Sequence, residues 1–290
     1  MLLGPVAAGA NPGIWRTQHA LNKDGRVVRD RLHTRNNSNN DDYSFLNAVG
    51  AVWPADIARS AAGYSASTGF LIDRCHVLTN LHVVFSGDPI LHPSVGAAVA
   101  FGVGQTDGNG NRGALQGLRF LFRGAVIAHG DALIVDRYVH DPENDWALIR
   151  LAANVDDTIT PMTIAAVDTG QLLGNPLIST AGFPSDHRVR RGDQFELKDL
   201  WGSDGRVVAV DWASTSGATI ESTLQTTRGN SGGPLYGDFN GQNHLVIGMV
   251  QGLRGNGIDV SEARPNVQLL FTSGMLSKIR AAQATNPCSR

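Results

Sequence analysis

Three residue types that together can open an acyl bond stand at the ends of apolar runs in this sequence. Ser231 sits in Gly229-Asn230-Ser231-Gly232-Gly233-Pro234-Leu235. A serine hydroxyl is a weak nucleophile until a base takes its proton and donors hold the oxyanion that forms. Glycine accepts backbone angles closed to other residues and lets a ligand approach the main chain. The N–H groups of Gly229 and Ser231 can therefore converge on one point beside the hydroxyl, as an oxyanion hole. The plainer reading of the heptapeptide is a hairpin turn with an incidental serine. Two upstream motifs weigh against it. In Val77-Leu78-Thr79-Asn80-Leu81-His82-Val83-Val84, which follows Ser67-Thr68-Gly69-Phe70-Leu71-Ile72, His82 can serve as general base. In Asn144-Asp145-Trp146-Ala147-Leu148-Ile149-Arg150-Leu151, Asp145 can fix the imidazole tautomer and stabilise the imidazolium.

The same serine also fits the loose G-x-S-x-G pattern of α/β-hydrolases. Such an enzyme needs its acid and then its histidine after the serine, and a helix directly following it. Here the sole later histidine is His244, close to the hairpin signal Asp238-Phe239-Asn240-Gly241, and no amphipathic helix follows Ser231. The order His82, Asp145, Ser231 is instead the chymotrypsin order. The three motifs resemble those of trypsin-like (chymotrypsin-fold) serine peptidases, in particular the bacterial branch with the glutamyl endopeptidases and HtrA-type proteases. The resemblance runs over residues 45–285 and implies an all-β fold of two antiparallel six-stranded barrels with a C-terminal helix. It implies His82 and Asp145 on the first barrel, Ser231 on the second, and an active site in the cleft between them. The function it implies is a serine endopeptidase acting on polypeptides through an acyl-enzyme intermediate, without a cofactor. Two other readings of the same cleft stay open: a catalytically silent peptide-binding module, and an esterase-like hydrolase.

The resemblance also places a substrate pocket. Gln225 and Thr226 line or support it, with Thr227, and Arg228 sits at its rim. The run Gly248-Met249-Val250-Gln251-Gly252-Leu253 resembles the family's edge where an extended peptide adds as a strand. For Gln251 and Leu253, ordinary strand packing is an equal reading. Trypsin-type enzymes hold a basic side chain with an aspartate where this chain has Gln225, and a neutral amide cannot neutralise a buried cation. Glutamyl endopeptidases use a histidine where Val250 stands. The pocket is therefore expected to favour uncharged, small-to-medium side chains, with glutamate second. Asn230 replaces the aspartate that pairs with a new N-terminus in zymogen-type relatives, so that activation switch is expected to be absent.

These residues need strands to position them. From Asn47 onward short apolar runs alternate with turn signals, as in an all-β chain. The pattern predicts strands over 48–53, 68–72, 75–79, 97–103, 117–128 and 147–151. After residue 164 it predicts strands over 176–182, 200–213, 220–223, 245–250 and 267–271. Met275, Leu276, Ile279 and Ala282 recur at helical spacing and predict a helix over 273–284. The expected organisation is an N-terminal arm or propeptide-like segment over 1–44, barrels over 45–163 and 164–272, and a helix with tail over 273–290. The polar run Asn36-Asn37-Ser38-Asn39-Asn40-Asp41-Asp42 lies in the arm. A PDZ domain of the kind HtrA proteases carry is not expected after the helix.

Composition narrows the partners. A net charge of −2 gives no strong pull toward nucleic acid or an anionic membrane. No apolar run approaches the roughly 20 residues of a membrane helix. A monomer, secreted or periplasmic, is expected, although the apolar start Met1–Ala10 lacks a basic leader. Cys75 and Cys288 are either bonded, stapling the tail to the first barrel, or two unpaired thiols. No metal site is expected. Asp107-Gly108-Asn109-Gly110-Asn111 opens like a calcium loop, but Arg112 replaces the required glycine and no closing glutamate follows. His76 reads as structural or exposed, and His19, His33, His92, His129, His140, His187 and His244 as surface residues of loops or termini.

Overall fold

Short runs of alternating inward and outward side chains cannot bury an apolar face as isolated ribbons, so they close on themselves. The computed structural model describes residues 27–28, 44–54, 66–85, 96–101, 121–132, 134–135, 138–139, 141–157, 159–184, 189–191, 194–196, 200–211, 218–226, 229–253 and 266–289. Strands run in chain order from β1 (Val27–Val28) and β2 (Val49–Pro54) through β3 (Ser67–Leu71), β4 (His76–Thr79), β5 (Gly96–Phe101) and β6 (Leu121–His129). A small hairpin of β7 (Ile134–Val135) and β8 (Tyr138–Val139) precedes β9 (Ala147–Leu151). The second half holds β10 (Leu177–Gly182), the hairpin β11 (Val189–Arg191) with β12 (Gln194–Glu196), then β13 (Trp201–Asp211), β14 (Ala218–Ser222), β15 (Pro234–Phe239), β16 (Gln242–Leu253) and β17 (Asn266–Leu270). Three helices complete it: α1 (Leu81–Val84), α2 (Thr169–Leu173) and α3 (Ser273–Thr285).

Two closed antiparallel barrels result. The first runs β2-β3-β4-β9-β6-β5 and back to β2. The second runs β13-β10-β15-β16-β17-β14 and closes through the pairing of β13 with β14. This is the fold the family resemblance implies. β13 shows its logic in one strand: Gly205 and Val207 are buried while Asp204, Arg206 and Val208 are exposed, the period of two that a half-buried strand requires. β1 pairs with the free edge of β13 beside Trp201 and Gly202, where β14 does not reach.

Each barrel has its own apolar filling. Phe70, Leu78, Val99, Leu148 and Ile149 of the first lie in one buried cluster, and Ile178, Ile220, Leu235, Leu245 and Ile247 of the second in another, all essentially inaccessible. Full burial of such a side chain stabilises by about 1.5–3 kcal/mol. The chain then returns to the first barrel. Thr272 caps α3 by accepting the Met275 N–H at 3.2 Å, and Met275, Leu276 and Ile279 join the core that contains the first barrel's residues. Cys288 closes the tail onto Cys75 as a disulfide, with a Cα–Cα distance of 5.5 Å. Arg150 donates to the Pro287 carbonyl and Asn154 to that of Ser289. Among the described residues, no helix is long and apolar enough to cross a membrane.

Two differences from the sequence reading stand out. β15 lies where no strand is expected, because Pro234 and the preceding glycines read as loop. Proline is nonetheless tolerated as the first residue of a strand. β16 extends past residues 245–250 at both ends, through a turn where Asn240 and His244 adopt φ of 55° and 58°. The calcium-like loop, the polar run 36–42, Thr227 and Arg228 lie outside the described residues.

Candidate active site

The first barrel supplies an imidazole and a carboxylate. β4 ends at Thr79 and the chain turns through Asn80 into α1, which presents His82. β9 begins just after Asp145, at the end of a short 3-10 turn over Pro142–Asn144. β4 and β9 are neighbours, with Thr79 opposite Ala147, so the two side chains meet although 63 residues separate them. The His82 backbone N–H donates to Asp145 Oδ1 at 3.0 Å. The imidazole Nδ1 lies 2.7 Å from Asp145 Oδ2. With the proton on Nδ1, Nε2 is left as the acceptor. Asp145 is fully buried, whereas the His82 side chain keeps 24% exposure. Burial pushes the imidazole down, but the charge of Asp145 and its hydrogen bond push it up and prevail, so His82 titrates above the ordinary 6.5.

The second barrel supplies the serine on the turn between β14 and β15. Gly229 and Gly232 have φ of 94° and 81° there, a region that favours glycine. A Cβ on Gly232 would also run into the Thr68 carbonyl and the Thr79 hydroxyl. Gly233 N–H donates to the Asn230 carbonyl, Gly232 N–H to that of Val250, and Val250 N–H to that of Gly233, each at 2.8 Å. Asn230 is buried at 3% exposure, with Nδ2 against Gly182. Among the described residues, the N–H groups of Gly229 and Ser231 have no bonded acceptor. Ser231 Oγ donates to the Gln251 carbonyl at 3.2 Å, and no hydrogen bond joins it to His82.

Gln251 touches both halves. Its carbonyl accepts from Ser231, and its side-chain Nε2 reaches Asp145 Oδ2 at 3.5 Å. Val250 is fully buried beside it, opposite Gln268. Beyond Val250, the face of β16 toward the serine turn has no strand partner among the described residues, while β17 pairs Gly252 and Leu253 from the other side. Gln225 and Thr226 lie buried after β14, and Gln225 N–H donates to Ser203 Oγ at 2.8 Å. Thr226 Oγ1 is buried without a partner among the described residues.

Sequence reasoning missed three polar residues in this region. Asn80, fully buried, donates from Nδ2 to the Asp145 carbonyl at 2.8 Å. Its position two residues before His82 was the available signal. Thr68 holds the serine turn from the first barrel through its N–H and its hydroxyl, and Thr79 in turn donates to the Thr68 carbonyl at 2.7 Å. Two histidines also differ from a loop reading: His129 ends β6, with Nδ1 2.7 Å from the Gly130 carbonyl, and His244 lies in β16, stacked on Phe45 at 4.0 Å.

A second cluster gathers Asp73, Cys75, His76 and Cys288, with ligand-type atoms all within 4.8 Å of one another. Its sulfurs are joined to each other, and His76 Nδ1 lies 2.7 Å from Asp73 Oδ2. Burial raises the Asp73 carboxyl, but the His76 and Cys75 hydrogen bonds lower it more, and it stays below its ordinary value. His76 is buried at 1% exposure, so it is structural rather than exposed.

Comparison with known proteins agrees with this architecture. The model of the trypsin-like peptidase domain matches residues 67–249, more than half of the chain. No curated protein matches the sequence. A solved Glu endopeptidase in complex with MPD is similar over 91% of this chain and 99% of that one, at 21% identity and a TM-score of 0.57. Rv3671c from M. tuberculosis H37Rv, as the Ser343Ala mutant in an inactive form, aligns over the same shares at 16% identity and a TM-score of 0.47. With the two barrels and the matched domain model together, the chain belongs to the trypsin-like peptidase family.

Proposed function

We propose that the protein is a serine endopeptidase whose triad is His82, Asp145 and Ser231. The observation that carries this reading is the His82–Asp145 pair at 2.7 Å, joined through Gln251 to the serine turn of the other barrel. A polypeptide lies extended along Gln251–Leu253 as an added strand. Ser231 Oγ leaves the Gln251 carbonyl, turns to His82 Nε2 and attacks the scissile carbonyl as the imidazole takes its proton. Such bonds are often loose before substrate binds. The N–H groups of Gly229 and Ser231 hold the oxyanion. The imidazolium, steadied by Asp145, then protonates the leaving amine, and water repeats the sequence on the acyl-enzyme. No step calls on a cofactor.

The pocket reading follows the same residues. Val250 is apolar where a glutamate-binding histidine would stand, Gln225 is neutral, and Thr226 offers one free hydroxyl. Uncharged, small-to-medium residues before the cut are favoured, with glutamate second. The disulfide supports a secreted or periplasmic site of action, because such bonds persist in oxidising compartments.

The test is casein digestion by the wild type and by Ser231→Ala. The variant should remain folded by circular dichroism and lose about 10⁴–10⁶ in rate. A Ser231→Ala rate within about tenfold of wild type contradicts the assignment. A wild type that holds peptides without cutting them supports the silent binding module instead.

A further inference from the structure

We propose that Thr68, on the first barrel, is a positioning residue that sets the oxyanion hole of the second. The inference rests on the serine peptidase reading above.

Thr68 stands in β3 with no exposure to solvent. One edge of β3 is occupied by β2, with Ala51 opposite Thr68. The other edge is paired by β4 at Phe70 and Leu71, but β4 ends at Thr79. At Thr68 that edge has no strand, and the serine turn of the other barrel takes its place. Thr68 N–H donates to the Ser231 carbonyl at 2.9 Å. Thr68 Oγ1 donates to the Gly229 carbonyl at 2.6 Å and accepts the Phe183 N–H at 3.1 Å. The Thr68 carbonyl in turn accepts Thr79 Oγ1 at 2.7 Å. One residue thus grips both ends of the Gly229-Asn230-Ser231 turn.

The consequence follows from peptide geometry. A trans peptide is planar, so its C=O and N–H point in opposite directions. Gly233 N–H holds the Asn230 carbonyl, and this fixes the Ser231 N–H of the same peptide toward the hole. Thr68 holds the carbonyls on either side, Gly229 by its hydroxyl and Ser231 by its N–H. The hydroxyl keeps the Gly229 carbonyl turned away from the space the oxyanion must fill. Without it, the Gly229 carbonyl loses the bond that orients it. A glycine carbonyl swung toward the hole would repel the oxyanion that the two N–H groups are meant to hold. Donors fixed before the charge develops are what make such a hole effective.

Any residue but proline at position 68 supplies the N–H bond. The hydroxyl belongs to threonine or serine alone, so the side chain can be tested separately. Wild type, Thr68→Val and Thr68→Ser are compared, with rates normalised to the sites that a fluorophosphonate titrates to completion. Valine keeps the shape and the strand preference but removes the donor. The expected result is a kcat lower by about 10–100-fold in Thr68→Val, somewhat less than the loss from deleting an oxyanion donor outright. KM should stay within about twofold, because the ground-state carbonyl does not use the hole. A peptide boronic acid, whose tetrahedral adduct fills the hole, should lose affinity by the same factor as kcat/KM. Thr68→Ser should recover most of the activity. If Thr68→Val does not fold, Thr68→Cys replaces it, because a thiol is a weak donor and the same kcat loss is expected. A folded Val or Cys variant with wild-type kcat overturns the proposal. So does a loss confined to KM, or a Ser variant as slow as the Val variant. Failure of the underlying reading looks different: wild type itself would neither digest casein nor take the label.

Discussion

At the scale of single residues, the account turns on His82 and its neighbours. His82 must be neutral to accept the Ser231 proton. Its titration is raised above 6.5 by Asp145 against the opposing effect of burial. kcat/KM should therefore rise with pH through a midpoint above 6.5 and then level off. The stability that the charged pair contributes runs the other way: it is fully present below the unfolded value and lost as pH rises through the raised one. Asp145→Asn removes both upward influences and leaves burial, so the midpoint should fall. Near neutral pH its activity should drop by about 10⁴, because asparagine favours the wrong tautomer. A pH–rate profile of the two proteins checks both statements, and a rate flat across the histidine range argues against a histidine base. The residues proposed for this chemistry were readable as candidates because each sits in a local motif. Asn80, Thr68 and the Gln251 amide were not, because their partners lie 65, 161 and 106 residues away. Only the closed barrels bring those pairs together.

At the scale of elements, the proposed function places specificity on β16 and rigidity on the serine turn. Gln251 was read as substrate-binding or packing, and its side chain here faces Asp145, which leaves Val250, Gln225 and Thr226 as the buried pocket candidates. Cleavage profiling on a peptide library should give most cuts after Val, Ala, Leu or Thr. Cuts dominated by Lys and Arg would contradict the neutral pocket, and cuts dominated by Glu would show that glutamate binds without a histidine at position 250. The serine turn tolerates no side chain at Gly232. Gly232→Ala meets both a disfavoured φ and the Thr68 carbonyl, and should cost roughly 2–5 kcal/mol, read by urea unfolding. Most strands were legible because their apolar alternation is local. β15 was hidden by its flanking glycines and proline, and β1 by the polar segments around it. Neither is made recognisable by its own residues; each is a strand because β10 and β16, or β13, offer it an edge.

At the scale of the whole molecule, two barrels must hold one site, and the chain is tied across them. Thr68, steadied by Thr79, reaches from the first barrel into the serine turn, while α3 and the Cys75–Cys288 bond return the end of the chain to the first barrel. The sequence left both that bond and two free thiols open, since separation along the chain carries no distance. The bond closes 213 residues of sequence separation, and on the chain-entropy view a loop that long stabilises by about 5 kcal/mol. Cys288→Ser should lower the thermal midpoint by several degrees and leave kcat of the folded enzyme unchanged. EDTA should leave turnover unchanged, because every proposed step uses side chains and amides alone. Loss in EDTA that zinc restores would point to another class of enzyme. The central claim, that Ser231 is an activated nucleophile, is tested most directly by fluorophosphonate labelling followed by peptide mass mapping. The account predicts a single adduct on the peptide carrying Ser231, formed far more slowly in His82→Ala and absent in Ser231→Ala. Casein cleavage by a protein that takes no adduct at Ser231, or equal labelling of Ser231→Ala, would contradict it.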